Sequence, residues 1–166
     1  MFSHWLVDDE DPVSRAAAVG LLTMRPAAPN SAFLAALRVP QPTARKNAAW
    51  ALGRRGNVAA ELPLPLLKDN DNSVPMEALL AISRCPGSIS AASIEPFLAD
   101  KNPLVRGAAA PALARHQPEI AAKLVRQALE REEAVVAKEY ALFVDQRAPR
   151  LSQAEIDVTV GHYRAP

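Results

Sequence analysis

Glycine and aromatic residues are scarce in this chain of 166 residues, which has 6 glycines and only 5% aromatic residues. A β-sandwich needs glycine for its many tight turns and aromatic or β-branched residues for its strands, so the composition argues against that class. Alanine and proline are abundant instead, with 33 and 15 residues respectively. This mixture favours helices that are joined by proline-marked corners.

Cysteines, long apolar runs and catalytic motifs are also lacking. Cys85 is the single cysteine, so the chain can form neither an internal disulfide nor a thiolate metal cage. No apolar run approaches the roughly 20 residues of a membrane span, and the first residues show no signal-like pattern, so we expect a cytoplasmic protein without a membrane partner. There is no histidine pair at metal-ligand spacing, no glycine-rich phosphate loop and no pair of catalytic carboxylates, which predicts no metal, no cofactor and no enzymatic activity.

One phrase recurs along the chain every 30 to 32 residues. Its clearest copies begin at Asp11, Pro42 and Asn102. We call the recurring basic residue of each copy its anchor, and Pro75 takes this position in the third copy. The anchors are Arg15, Arg45, Pro75, Arg106 and Lys138. In the second and fourth repeats, for example, small or apolar residues fall one residue before the anchor and three, six and seven residues after it, which places them on one face of a helix.

Each repeat is therefore predicted to be a helical hairpin. Asp11, Ser73 and Asn102 are residue types that cap the start of an anchor helix. Shorter apolar helices are predicted between the anchor helices, at residues 31–38, 61–68, 90–99 and 118–130. Five stacked hairpins form a single all-α solenoid domain over residues 1–166, with repeats near 1–25, 26–56, 57–87, 88–117 and 118–147. A helix over residues 152–164 is expected to cap the last repeat.

The repeat pattern resembles that of HEAT-like proteins, particularly the short form named after phycobilisome lyases. The resemblance lies in an apolar helix that ends in an acid, a Pro-x-Val-Arg start and a second helix of small residues, and it covers about residues 2–147. It implies a right-handed, armadillo-like α-solenoid and a structural ladder that pairs each anchor with the acid six residues earlier. Val39 takes the place of that acid in the second repeat, which leaves Arg45 to reach Asp9 or solvent. The predicted ladder consists of Asp9, Arg15, Arg45, Asp69, Asp100, Arg106, Glu132 and Lys138.

Residues one, two, five and nine positions after the anchor project away from the packed side of each anchor helix. Four arginines occupy the ninth position in consecutive repeats; they either complement the helix dipole or contact a partner. Trp50, at the fifth position, is either a binding hot spot or a residue packed on the next repeat. The predicted partner-binding residues are Lys46, Asn47, Trp50, Arg54, Leu80, Arg84, Arg115, Tyr140, Phe143 and Arg147.

These features predict a non-enzymatic scaffold that binds a protein or peptide in the concave groove of the solenoid. Nucleic-acid binding is an alternative, because residues 12–60 carry seven basic residues and no acid, whereas residues 1–11 carry four acids. The resemblance adds a third possibility, a subunit of an enzyme complex of the lyase type. The net charge of +1 hides this asymmetry between the first corner and the first two repeats.

Overall fold

The computed structural model describes residues 2–24 and 29–129, and these residues form helices and turns with no strand among them. The expected all-α class is thus confirmed for the described part of the chain. Several predicted residues lie outside it, together with the predicted capping helix at 152–164. They are Glu132, Lys138, Tyr140, Phe143 and Arg147.

The Cα positions group the chain into two lobes, Met1–Gly87 and Ser88–Pro166. The division falls on the predicted boundary between the third and fourth repeats, and each lobe is described by itself; that all repeats form one domain stays a prediction. The N-terminal lobe contains helices α1 (Phe2–Trp5), α2 (Asp11–Thr23), α3 (Asn30–Ala36), α4 (Pro42–Arg55) and α5 (Ser73–Ile82), with a 3₁₀ helix at Leu64–Lys68. The C-terminal lobe contains α6 (Ala91–Ile94), a 3₁₀ helix at Glu95–Ala99, α7 (Pro103–His116) and α8 (Pro118–Leu129).

The four anchor phrases that the structure describes each begin a helix, namely α2, α4, α5 and α7. Pro42 and Pro103 are the first helical residues, where a missing amide costs no hydrogen bond. Only one of the three predicted caps forms: Asn102 Oδ1 accepts a hydrogen bond of 3.0 Å from the Leu104 amide. The prediction that Asp11 and Ser73 cap their helices is wrong, because both residues lie inside the first turn.

The segments between the anchor helices are less regular than the sequence suggests. The helix expected at residues 61–68 is a turn followed by a 3₁₀ helix, and the helix expected at 90–99 is short and ends in a second 3₁₀ helix. Pro63, Pro65 and Pro96 explain the difference, because a proline has no amide to donate within a helix. The two 3₁₀ helices still bury apolar side chains, such as Leu67 and Leu98.

Helix α4 lies at the centre of the N-terminal lobe and packs against α2, α3 and α5. Its predicted core face is fully buried and consists largely of alanine, which lets the neighbouring helices approach closely. The two helices approach each other closely at Gly53, where an added Cβ atom would lie 2.7 Å from the Cα atom of Ala81 in α5. The missing side chain of Gly53 therefore allows this short distance between α4 and α5.

In the C-terminal lobe, α7 packs against α6, the second 3₁₀ helix and α8. The helix continues through Pro111, which is buried. Just after α7, the Gln117 side chain donates a hydrogen bond of 2.8 Å to the Ile89 carbonyl. That bond ties the end of α7 to the segment that leads into α6.

Candidate functional site

The anchor arginines hold the corner that leads into their own helix. Arg45 Nη1 donates to the carbonyls of Val39 and Pro40, at 2.8 Å and 2.5 Å. Arg106 Nη1 donates to the carbonyls six and five residues before it in the same way, at 2.8 Å and 3.2 Å. In these two repeats the residue six positions before the anchor, Val39 or Asp100, therefore contributes its backbone carbonyl to its own arginine.

Arg45 forms its ion pair with Asp69, which belongs to the following repeat. The pair is bidentate, with Nε to Oδ2 at 2.6 Å and Nη2 to Oδ1 at 2.8 Å. The expectation that Arg45 reaches Asp9 or solvent is wrong, because the stacking of the repeats brings the acid of the next corner to the arginine. Only 16% of the Arg45 side chain and 7% of the Asp69 side chain are exposed, so the pair is largely withdrawn from water.

Arg15 does not form the equivalent ion pair with the corner of the next repeat, because that corner has Val39 where Arg45 finds Asp69. Its guanidinium lies over the ring of Trp50 in α4, 4.4 Å from the ring centroid. Beyond the ring, Nη2 bonds to Oε1 of Glu77 in α5 at 3.1 Å. Asp9, the predicted ladder partner of Arg15, is exposed. Arg15 thus connects α2 to α5 across α4.

A cluster of polar side chains accompanies Arg15, and we name it the α2–α4–α5 face. Its residues are Asp11, Arg15, Lys46, Asn47, Trp50 and Glu77. At one end, Asp11 Oδ1 accepts from Lys46 Nζ at 2.8 Å and from Asn47 Nδ2 at 3.0 Å. Lys46, Asn47 and Trp50 are residues that the sequence predicted for partner binding, and the structure brings them together. Sequence reasoning missed Asp11 and Glu77, and it assigned Arg15 to the ladder alone.

Two acceptor atoms of this face are buried without a donor among the described residues. They are Oδ1 of Asn47, whose residue is 0% exposed, and Oε2 of Glu77, whose side chain is 9% exposed. A buried acceptor that lacks its hydrogen bond costs roughly 1–3 kcal/mol. Both residues stand two positions after their anchors, where Ala17 and Ala108 stand in other repeats. Asn47 is therefore not the exposed contact that the sequence suggested, since a partner can touch it only after neighbouring side chains move.

The outer strip of α4 consists of Lys46, Trp50 and Arg54, at intervals of one helical turn. Lys46 and Trp50 are half-buried, and Arg54 is exposed. Leu80 and Arg84 hold the equivalent fifth and ninth positions in α5 and are half-buried too. Gly20, which has no side chain, holds the fifth position in α2. The remaining described contact residue, Arg115, is exposed at the end of α7 in the other lobe.

The basic stretch at residues 12–60 is partly neutralised by acids from outside it. Arg15 pairs with Glu77, Arg45 with Asp69, and Lys46 with Asp11. Arg55 also faces inward, where it donates to Asn30 and lies 4.7 Å from the centroid of the Phe33 ring. The exposed bases of this stretch in the described part of the chain are Arg38 and Arg54. The sequence charge of this stretch therefore overstates its positive surface.

Hydrogen bonds lower the pKa values of three aspartates in the N-terminal lobe. The bond from Lys46 lowers the pKa of Asp11, and bonds from the Ser73 hydroxyl and amide lower that of Asp71. Burial acts to raise the pKa of Asp69, but the bonds from Arg45 and the Asp71 amide outweigh it and lower the pKa.

We expect acid to destabilise the N-terminal lobe through these aspartates. A carboxylate with a lowered pKa in the folded state contributes stability above its unfolded pKa of about 3.9 and loses it as the pH falls through the folded value. Urea midpoints should therefore stay nearly constant between pH 7 and about 5 and fall below about pH 4. A Lys46→Met variant should show a smaller acid effect, because Asp11 loses the bond that lowers its pKa. Equal pH dependence in both proteins would contradict this role for Lys46.

The described residues outside this face provide fewer polar or reactive groups that could form a functional site. A groove of about 420 Å³ in the C-terminal lobe is lined mainly by apolar residues of the second 3₁₀ helix and α8, with Glu95 and Gln127 as its polar side chains. Cys85 is buried, and burial raises the pKa of its thiol, which disfavours the reactive thiolate. No group of three or more potential metal ligands occurs in the described ranges.

The helices of the described ranges are also too short or too polar for any of them to cross a membrane. Within the described part of the chain, the α2–α4–α5 face is thus the strongest candidate site, because it combines an accessible ring, paired charges and buried acceptors. No protein-family model and no curated protein matches this sequence.

Proposed function

We propose that the chain is a HEAT-like α-solenoid that acts as a non-enzymatic module for binding a protein or peptide, and that the partner binds across the α2–α4–α5 face. The observation that carries the proposal is the position of Trp50. Its ring is half-buried at the centre of a polar strip, with Gly20 and Leu80 at the corresponding positions of the neighbouring helices. Tryptophan and arginine side chains in such surroundings supply most of the affinity of many protein interfaces.

The surroundings of Trp50 have the composition of a small interface. Leu80 and Met76 extend the apolar area on α5, and both are half-buried. Lys46 and Arg54 lie one turn to either side of the ring and provide a polar rim. An apolar centre with a polar rim is the usual arrangement of a protein-binding surface. The alanine-rich core of α4 keeps this strip rigid, which reduces the entropy lost on binding.

Two observations favour a protein partner over a nucleic acid. Three of the seven basic residues in the stretch 12–60 already have carboxylate partners. A base that displaced Arg15 from the Trp50 ring would also leave the buried Glu77 carboxylate without a cation, which disfavours base stacking at this site. Nucleic-acid binding driven by phosphate contacts should weaken steeply with salt, so single-stranded DNA that binds at 50 mM NaCl and is released at 200 mM would favour the alternative.

Replacing Trp50 by alanine should weaken the binding of selected peptides at least tenfold, because the variant loses the central apolar contact. The peptides are obtained by selecting a displayed library of random dodecapeptides on the parent protein at 150 mM NaCl. Their dissociation constants are then measured by fluorescence anisotropy for the parent, Trp50→Ala and Arg84→Glu.

Trp5→Ala is the matched control, since Trp5 is an exposed tryptophan in α1 and does not belong to the set of residues that defines this face. We expect this control to bind the peptides as the parent does, while circular dichroism shows that all variants are folded. If Trp50→Ala and Arg84→Glu both keep the parent affinity, the α2–α4–α5 face is not the binding surface. A loss of affinity in Trp5→Ala but not in Trp50→Ala would place the surface at α1 instead.

A further inference from the structure

We infer that the α2–α4–α5 face recognises a single arginine side chain of its partner, which takes the place of Arg15 on Trp50 and bonds to both carboxylate oxygens of Glu77. This inference rests on the proposed binding function of the face and specifies the chemistry of the bound residue. Arg15 serves as an internal stand-in for that residue when no partner is bound.

Arg15 satisfies only part of the hydrogen-bonding capacity of the Glu77 carboxylate. Glu77 receives one hydrogen bond from Arg15, at 3.1 Å, through Oε1, while Oε2 is buried without a donor among the described residues. Asn47 holds the equivalent position in the adjacent helix α4. Its side-chain carbonyl oxygen is also buried without a donor among the described residues. A guanidinium has five N–H donors in a planar fork, so one such group can serve both oxygens of a carboxylate.

Arg15 is also held loosely enough to be replaced. Its side chain is 31% exposed, so water reaches and screens the Arg15 end of the ion pair. A second acceptor is available to it: Asp11 lies four residues earlier on α2, the spacing at which opposite charges on a helix attract each other. The bond from Lys46 is the main cause of the lowered pKa of Asp11, and the charge of Arg15 acts in the same direction. Arg15 can therefore move from Glu77 to Asp11 without leaving its charge unpaired.

The site favours arginine over lysine and one cation over several. A guanidinium is planar, stacks on an indole and bonds to a carboxylate through two parallel hydrogen bonds, whereas an ammonium group does neither. The existing contact of 4.4 Å between Arg15 and the Trp50 ring shows that the ring accepts a stacked guanidinium. Arg54 lies one turn beyond Trp50 and is exposed, so it repels a second basic residue of the partner. An isolated arginine fits these charges better than a basic run does.

The probe that tests the inference is N-acetyl-L-arginine amide, with N-acetyl-L-citrulline amide as its neutral isostere. All proteins carry Trp5→Phe, which makes Trp50 the only tryptophan, so indole fluorescence reports on the face directly. We expect saturable binding of the arginine probe in the millimolar range, at least tenfold tighter than that of the citrulline probe. Arg15→Ala should bind the arginine probe several-fold more tightly than the parent, because the internal competitor is gone.

Glu77→Gln should weaken the arginine probe at least tenfold, and Glu61→Gln, at an exposed glutamate of the same lobe, should leave it unchanged. Arg15→Ala leaves the buried Glu77 without its cation, which can destabilise this variant. A second measurement therefore uses the parent protein. In the parent labelled with ¹⁵N-arginine, saturation with the probe should move the Arg15 Nε resonance toward the value of an exposed arginine, as the ring-current effect of Trp50 is lost.

Three results would overturn the inference: equal affinity for the two probes, no effect of Glu77→Gln, or an Arg15 resonance that is unchanged at saturation. The peptide experiment separates this failure from that of the proposed function. If Trp50→Ala weakens the selected peptides but the arginine probe does not bind, the face binds a partner by other chemistry and only the present inference fails. If the peptides bind equally well to Trp50→Ala, the proposed function fails as well.

Discussion

Replacing Arg45 by methionine should lower the free energy of unfolding by about 2–4 kcal/mol, because removing one partner of a fully buried ion pair costs about 3–5 kcal/mol and this pair is partly buried. Asp69 would remain as a carboxylate that is 7% exposed and has no opposite charge, and the Val39 and Pro40 carbonyls would lose a donor. Methionine fills most of the space of the arginine stem, so the loss reports on charge and hydrogen bonds. Urea unfolding at pH 7, followed by far-ultraviolet circular dichroism, measures the difference.

Two further variants separate this explanation from a general loss of charge. Arg38→Met removes an exposed arginine of the same lobe and should change the stability by less than about 0.5 kcal/mol. Arg45→Met combined with Asp69→Leu should recover part of the lost stability, since no buried charge is then left unpaired. A loss below about 1 kcal/mol in Arg45→Met would mean that the pair behaves as an exposed one.

The starts of the anchor helices could be predicted from the sequence because their signals are local. Pro42 and Pro103 mark first turns, and the alternation of small and polar residues after them has the period of a helix. Ala44, Ala48 and Leu52 were placed on the buried face from that period alone, and all three are fully buried. The 3₁₀ segments were harder to predict, because their apolar pattern suits a helix while their prolines prevent regular hydrogen bonding.

The partners of the anchor arginines could not be predicted, because they depend on how the helices stack. Arg45 and Asp69 are 24 residues apart, and Arg15 and Glu77 are 62 residues apart. A ladder drawn within each repeat assigns the acid at the sixth preceding position to its own arginine. In the structure, Val39 and Asp100 give their carbonyls to the arginine of their own repeat, and Asp69 gives its carboxylate to Arg45 of the preceding repeat.

Two features of the sequence nevertheless contain the information for the α2–α4–α5 face. Val39 interrupts the series of corner acids, which leaves Arg15 without a ladder partner. Asn47 and Glu77 are polar residues at a position where Ala17 and Ala108 are small, so they stand out once the repeats are aligned. An unpaired cation and two unusual polar residues in adjacent repeats are a signal for a polar site, although the sequence does not show that Trp50 lies between them.

Replacing Gly53 by alanine should lower the free energy of unfolding by about 1–2 kcal/mol, even though alanine is the better helix former. The added Cβ atom would lie 2.7 Å from the Ala81 Cα atom and 3.1 Å from its Cβ atom. A backbone atom cannot rotate away, so α4 and α5 must separate along their shared surface. That overpacking typically costs 1–3 kcal/mol and exceeds the gain in helix propensity of about 1 kcal/mol when, as here, the whole helix pair is displaced.

The Ala81→Gly change provides an internal test of this cause. Adding it to Gly53→Ala removes the contact at 3.1 Å but leaves the contact at 2.7 Å with the Cα atom, so the double variant should not recover the parent stability. Gly53→Val should be less stable than Gly53→Ala, because two more methyl groups enter the same space. Separation of α4 from α5 should also move Glu77 away from Trp50, so Gly53→Ala should bind the arginine probe more weakly than the parent. A Gly53→Ala protein as stable as the parent would show that the two helices do not approach closely enough to set the geometry of the face.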